Sequence, residues 1–495
     1  MRIRISAMLV TICLVLAGCA YRSPDHSGQD KIVLPEPTYE QQDDFQGETG
    51  DERAADYILY YASADGTSLN AASRVISVGY GEDLLRRIVE ELLEPASENL
   101  ISPAPSETKL LSLENAGGLV TVNLSLEAMN TQDEVAALTM VAAIANTLLP
   151  LSTVDGINVL VDERQLSICS LPIGVITEPI GSIAAAYAQA QADSSRRKAG
   201  SGVSRAVALY FPDSSGTWLV PEIREISIVQ DELAKVLVEQ LQAGPATIPC
   251  ASGAFPNDVE FLSGTPVLRV SNLGERILEI NLNSAAFPEF SASGAISWVA
   301  AGALTLSVCS SCPEVDAVRI CIDGTAVEAI CLGDDSVVFP DGFYRAEDFR
   351  AMVGSTCTLY FQNDSGMLLQ VERAVSRASA QDPGALLRNL LNGPIASELE
   401  AQSPFPQGIT SRDLLGVRLN DGVASINLSS NFYRRCQNLT ADEERNTVYS
   451  MVNTLCELPN INGARIYVEG ISAETLTQNI YLRSVLLPNL GLFAQ

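Results

Sequence analysis

"YFPDSSGTWL" occupies residues 210–219, "YFQNDSGMLL" residues 360–369 and "YYASADGTSL" residues 60–69. The three stretches align without a gap. Gly66, Gly216 and Gly366 fall in register, as do Leu69, Leu219 and Leu369. Each reads as the aromatic end of a strand followed by a turn, where Gly supplies a positive φ at no steric cost. Self-similarity at so long a period marks a repeated structural unit.

Outward from that turn, the three copies keep one order. An amphipathic helix follows, with Leu84, Ile88 and Leu92 on one face in the first copy and Leu233, Leu237 and Leu241 in the second. In the third copy Asp382 is the expected cap and Pro383 the first helical residue. The helices run out at "LEP", "AGP" and "NGP", since proline cannot continue a helix. Two strands come next, the second being "VTVNL" (120–124), "LEINL" (278–282) and "ASINL" (424–428). A second helix is expected to open on capping boxes at Thr131–Glu134 and Thr440–Glu443. A closing strand ends each copy: "INVLVD", "VRICID", "ARIYVE". The order β-β-α-β-β-α-β predicts an α+β fold: three tandem small domains, each a mixed sheet with two helices on one face.

The strand-turn, the "GP" helix end, the "INLSS" strand, the "NTLCELP" helix end and the closing strand together resemble the GerM domain, a sporulation and germination domain of bacterial envelope lipoproteins. Copies two and three match best; copy one departs at "LEP". The resemblance covers roughly residues 55–170, 203–335 and 353–475. It implies a small fold similar to ring-building modules of secretion-type assemblies. It also implies extracytoplasmic placement, a role in envelope or spore assembly, and no known enzyme activity.

The N-terminus carries Arg2 and Arg4, an apolar stretch, and "LAGC" ending at Cys19. A charged start, a short apolar core and a small-residue site describe a signal peptide rather than a spanning helix. The stretch resembles a bacterial lipobox. That implies cleavage before Cys19 and a diacylglyceryl lipid on its sulfur, which anchors the chain to the outer face of the cytoplasmic membrane. The expected organisation is a signal peptide (1–18), lipidated Cys19 with a disordered tether (19–54), domain 1 (55–175), an Ala-rich helix and linker (176–202), domain 2 (203–350) and domain 3 (351–495). The apolar tail "YLRSVLLPNLGLFAQ" either finishes the third domain's sheet or docks on a partner.

The net charge of −29 over 495 residues argues against nucleic acid, whose phosphates require clustered Lys and Arg. The one histidine, His26, lies in the tether, so no folded domain has a histidine base or ligand. No Walker loop, dinucleotide turn or metal-binding acidic loop occurs, and no cofactor is expected beyond the lipid on Cys19. The "CSSC" at 309–312, with Cys321 and Cys331, has zinc or redox spacing. In the other copies, however, Cys309 and Cys312 align with leucines (148 and 151; 455 and 458), which points to core packing. Asp162, Asp323 and Glu469 recur at the end of the closing strand. Each is on a different domain, so a turn role is expected rather than a catalytic pair. "SETK" at 106–109 lacks the companion motifs of a serine acyl-enzyme.

Two recurring sets are candidate partner contacts. Strand alternation places one residue of each aromatic pair outside, giving Tyr61, Phe211 and Phe361. Asn123, Asn281 and Asn427 recur in the central strand and either tie the next loop or meet a ligand. The expected function is a non-catalytic lipoprotein scaffold contacting other envelope or spore-assembly proteins, or further copies of itself. The alternative is a lipoprotein binding wall glycan or a small ligand; a wall hydrolase ranks last.

Overall fold

The computed structural model describes residues 53–492 except 79–82, 95–99, 230–231, 334 and 460. The expected signal peptide, Cys19 and the tether up to residue 52 lie outside the described residues. The three copies form three modules with the expected order of elements.

Each module opens with a hairpin: Arg53–Ala62 with Leu69–Val78, Val203–Pro212 with Leu219–Ile228, and Gly354–Gln362 with Leu368–Ser376. The turn glycines Gly66, Gly216 and Gly366 have φ of 67°, 67° and 70°, as the repeat requires. The turn is tied by a polar side chain: Asp213 accepts the backbone N–H groups of Thr217 and Trp218, each at 2.7 Å. The hairpin stands as its own two-stranded ribbon.

The other strands build a mixed sheet. In every module an edge strand runs antiparallel to the central strand, which runs parallel to the closing strand. The central strands are Leu119–Leu124, Arg276–Leu282 and Val423–Leu428. The closing strands are Gly156–Val161, Ala317–Ile322 and Gly463–Val468.

The second helix (Glu134–Leu148, Trp298–Cys309, Ala441–Cys456) lies between the hairpin's first strand and the closing strand. Every residue from Leu138 to Leu148 and from Ala300 to Cys309 is buried. A helix apolar on all sides must be covered on all sides. One hydroxyl per helix joins it to the hairpin's free edge. The backbone N–H of Tyr60 donates to Thr147 Oγ1 at 3.0 Å, that of Tyr210 to Ser307 Oγ at 2.9 Å, and that of Tyr360 to Thr454 Oγ1 at 3.1 Å. An edge N–H that would otherwise be an open template is thereby blocked.

Thr440 and Glu443 form the expected capping box. In the first module the cap is Asp133, not Thr131. Its carboxylate accepts the Ala136 N–H at 2.8 Å, and the helix starts at Glu134. Asp is a strong N-cap, and it stands next to the first apolar turn.

The modules share core. Ala116, Leu119 and Val175 of the first pack into the apolar cluster of the second, and the Val175 N–H donates to the Ala206 carbonyl at 2.8 Å. Ile223 of the second module sits over Gly156, where an added Cβ would stand 2.6 Å from its Cδ1. Val220, Cys250 and Ala374 form a small core between modules two and three. Modules one and three meet where the Gly117 N–H donates to Ser355 Oγ at 2.9 Å and Arg377 pairs with Glu114.

The segment expected as an Ala-rich helix and linker is docked through its helix. Its helix, Ile183–Lys198, packs on the second helix of module one through Ile183, Ala186 and Tyr187. Asn146 holds the approach by two bonds to the Ile180 backbone, at 2.9 and 2.7 Å. The C-terminal tail repeats this: Asn453 bonds the Asn489 backbone, and Leu486 bridges Ala464 of the closing strand. The tail therefore extends the third sheet.

Thr454→Val keeps shape but removes the hydroxyl that accepts the Tyr360 N–H. It is expected to cost about 1–3 kcal/mol, read as a lower urea midpoint for the third module's helix signal. An unchanged midpoint would remove the hydroxyl from this role.

Candidate functional site

The aromatic candidates are not at the surface. Tyr61, Phe211 and Phe361 are each 0% exposed. They face inward from the hairpin, and an arginine of the second strand stacks on each ring. Arg74 lies 5.8 Å from the Tyr61 centroid, Arg224 5.5 Å from Phe211 and Arg373 5.3 Å from Phe361. Their outward neighbours fare no differently in modules two and three, where Tyr210 and Tyr360 are buried as well. Alternation correctly separates the two faces of the ribbon, but solvent lies beyond neither face there.

The guanidinium does a second job. Arg224 donates to the Gln240 carbonyl at 3.3 Å and the Gly244 carbonyl at 2.9 Å, closing the C-terminus of the helix Leu233–Ala243. Arg373 does the same at the C-terminus of the helix Pro383–Leu391, donating to the carbonyls of Asn389 (3.3 Å) and Gly393 (3.0 Å). A cation there meets the helix dipole and the unpaired carbonyls together. Each arginine is held by a buried carboxylate. Glu222 lies two residues before Arg224, whereas Glu398 comes from the loop after the helix. Glu222 also accepts the N–H groups of Ala246 and Thr247 at 2.7 and 2.8 Å. Burial pushes the Glu222 carboxyl up. The Thr247 and Ala246 N–H groups and Arg224 outweigh that, so it titrates below the usual carboxylate range. The signal for this clamp is present in the sequence as "RVIS", "REIS" and "RAVS" in the second strand.

The asparagines are latches. Asn281 accepts the Gly324 N–H at 2.8 Å, Asn427 the Gly470 N–H at 2.8 Å, and Asn123 the Glu163 N–H at 3.0 Å. The loop they tie is the turn after the parallel closing strand, not the one next in sequence. That turn has positive φ at both central positions: Asp162 and Glu163, Asp323 and Gly324, Glu469 and Gly470. The recurring acids are thus the first residue of a tight hairpin turn. Glu469 also accepts the Ser430 N–H at 2.7 Å at the start of the helix Ser430–Cys436. Three latches on three modules do not converge on one site.

Cys309, Cys312 and Cys321 are buried in module two. Burial pushes the Cys309 thiol up to about 12, and raises Cys312 well above its ordinary value. A protonated, buried thiol packs as a small hydrophobe.

Two surface features remain. A cleft of about 350 Å³ lies between modules two and three, bordered by Asp213, Cys250, Glu372, Glu398 and Leu399. No aromatic side chain among the described residues lines it. The Cys250 thiol donates to Glu372 Oε1 at 3.6 Å, and burial raises both groups. The other feature is the edge strand of module two, Val267–Val270. All four of its residues are exposed, and Leu273 beside it is 84% exposed. Among the described residues its outer edge carries no strand. The sequence did not single it out.

Arg373→Ala removes the clamp and strands the buried Glu398. The expected loss is about 3–5 kcal/mol, and the double variant Arg373→Met/Glu398→Leu is expected to lose markedly less. Equal losses would contradict a buried pair. For pH, the depressed Glu222 carboxyl contributes stability above its unfolded value of about 4.3, and that contribution is lost as pH falls through the folded value. Glu222→Gln is therefore expected to flatten the acid limb of the stability curve; an unchanged limb would contradict this.

A family model described as sporulation and spore germination, named Germane, matches residues 58–167, 208–328 and 358–474. No curated protein matches the chain. Among solved structures, the tandem GerMN domains of the sporulation protein GerM from Bacillus subtilis are similar at 15% identity. That match covers 59% of this chain and 99% of that one, with a TM-score of 0.25. A putative lipoprotein from Clostridium perfringens is similar at 23% identity over 27% of this chain and 93% of that one, with a TM-score of 0.18. With three matches that together span more than half of its length, the chain belongs to the Germane family of sporulation and spore germination domains.

Proposed function

We propose that the chain is a non-catalytic scaffold in envelope or spore assembly. It is tethered through a lipid on Cys19 to the outer face of the cytoplasmic membrane and contacts other envelope or spore-assembly proteins. The family supports the sporulation setting. The observation that carries the scaffold reading is the open edge strand Val267–Val270, with exposed Val267, Leu268 and Val270. Such an edge takes an added strand from a partner, main chain giving affinity and alternate side chains giving selectivity.

The alternative, binding of wall glycan or a small ligand, calls for a cleft with aromatic and polar walls. The cleft between modules two and three has polar and aliphatic walls but no aromatic side chain among its described lining residues, which favours the scaffold reading over it. The hydrolase reading is weakened because Asp162, Asp323 and Glu469 serve as turn residues. No helix among the described residues is long and apolar enough to cross a membrane.

In-cell cross-linking on intact envelopes, read by mass spectrometry, tests this. Cross-links to defined membrane or spore-assembly proteins are expected, and Leu268→Glu/Val270→Glu is expected to abolish those that map to the edge strand. Glycan adducts without a consistent protein partner would overturn it, as would protein cross-links indifferent to the edge.

A further inference from the structure

The hairpins of the three modules differ in what covers their outward faces. In module two that face is Ala206, Ala208 and Tyr210, and module one buries it; Ala208 is 1% exposed. In module three Tyr360 and Ala374 of that face are buried, Ala374 in the small core shared with module two. In module one the same face carries Ile58, 52% exposed, and Val75, 67% exposed. The cross-strand pair Ile58–Ser73 answers to Ala208–Ile223 in module two. Large and small have changed strands, so each pair offers one bulky aliphatic side chain to a neighbour.

The surface that receives Ile223 is also present twice. On module one it is Gly156, flanked by Val175 Cγ1 at 2.8 Å and Thr177 Cγ2 at 3.6 Å from an added Cβ. On module three it is Gly463, flanked by Val485 Cγ1 at 2.7 Å and Leu487 Cδ2 at 3.4 Å. The same bridge supports both, Ile157 with Ile176 and Ala464 with Leu486. Among the described residues no hairpin packs on the module three surface, where Gly463 lies buried beneath Val485 and the Leu486 carbonyl while Leu487 is 64% exposed. Module two has the matching bridge, Val318 with Tyr344. There the next residue is Arg345, engaged by Glu275 and Asp341, which makes that surface polar.

We propose that two copies of the chain join head to tail. The outward face of the first hairpin, Ile58 and Val75, seats on the Gly463–Val485–Leu487 surface of a second copy and reproduces between chains the joint that modules one and two make within one. The contact is heterologous, so copies add in a row that either closes or extends. It deepens the scaffold reading and rests on it, but uses a surface separate from the edge strand Val267–Val270.

The test is the full chain in mild detergent, with a photo-crosslinking amino acid in place of Ile58. Cross-linked dimers whose adducts map to residues 463–487 of the second copy are expected. Sedimentation velocity is expected to show a concentration-dependent species that Val75→Asp and Leu487→Asp each abolish, with unchanged far-UV circular dichroism. Both side chains are exposed, so the fold tolerates the changes. A monomer at all concentrations would overturn the proposal, as would adducts only to residues 1–52 of the same chain or only to another protein. Loss of self-association with edge-strand cross-links intact would refute this joint and leave the scaffold reading standing.

Discussion

The second helix is buried on every side over 138–148 and 300–309 in modules one and two and on most of its surface in module three, and the remaining elements are placed by the need to cover it. The closing strand takes one side. The hairpin takes another, and a hydroxyl of the helix satisfies the N–H on the hairpin's free edge. The chain beyond modules one and three folds back over the helix and is pinned by Asn146 and Asn453. In module two the residue before the bonded hydroxyl of Ser307 is Leu306, which has no side-chain amide to form such a latch. The arginine clamp then fixes the first helix to the hairpin, with a ring on one side of the guanidinium and carbonyls at its edge.

Covering the helix moves the problem outward. A ribbon used as a lid has a second face, and that face is apolar wherever another module follows in the shared core. Ala208 is small because Ile223 across from it fills the space over Gly156. The three modules are therefore not beads on a string. Leu119 and Val175 of the first belong to the same apolar cluster as Leu237 and Leu304 of the second.

Much of this was legible in the sequence, and the rest failed for definable reasons. The hairpin turn, the Asp382–Pro383 start, the Thr440–Glu443 box and the core burial of Cys309 and Cys312 are local signals, and each folds as read. Pairing is not local. Alternation gives strands without saying that the hairpin stands apart from the mixed sheet. It also separates Tyr210 from Phe211 without saying that module one lies over the former. The asparagine bonds cross to a neighbouring parallel strand some forty residues on, a distance that sequence order hides. The arginine was visible as a repeat, but its carboxylate was not. Glu222 and Glu398 reach the same place from opposite sides of the helix, so no alignment of the copies sets them side by side.

The claim that modules one and two form one cooperative body is tested most directly by hydrogen exchange during a urea titration, followed peptide by peptide. The account predicts that the helices at 134–148 and 298–309 lose protection together, because Leu119, Val175 and Ala208 share one core. Loss of one helix at a well-separated urea concentration, with the other still protected, would contradict it.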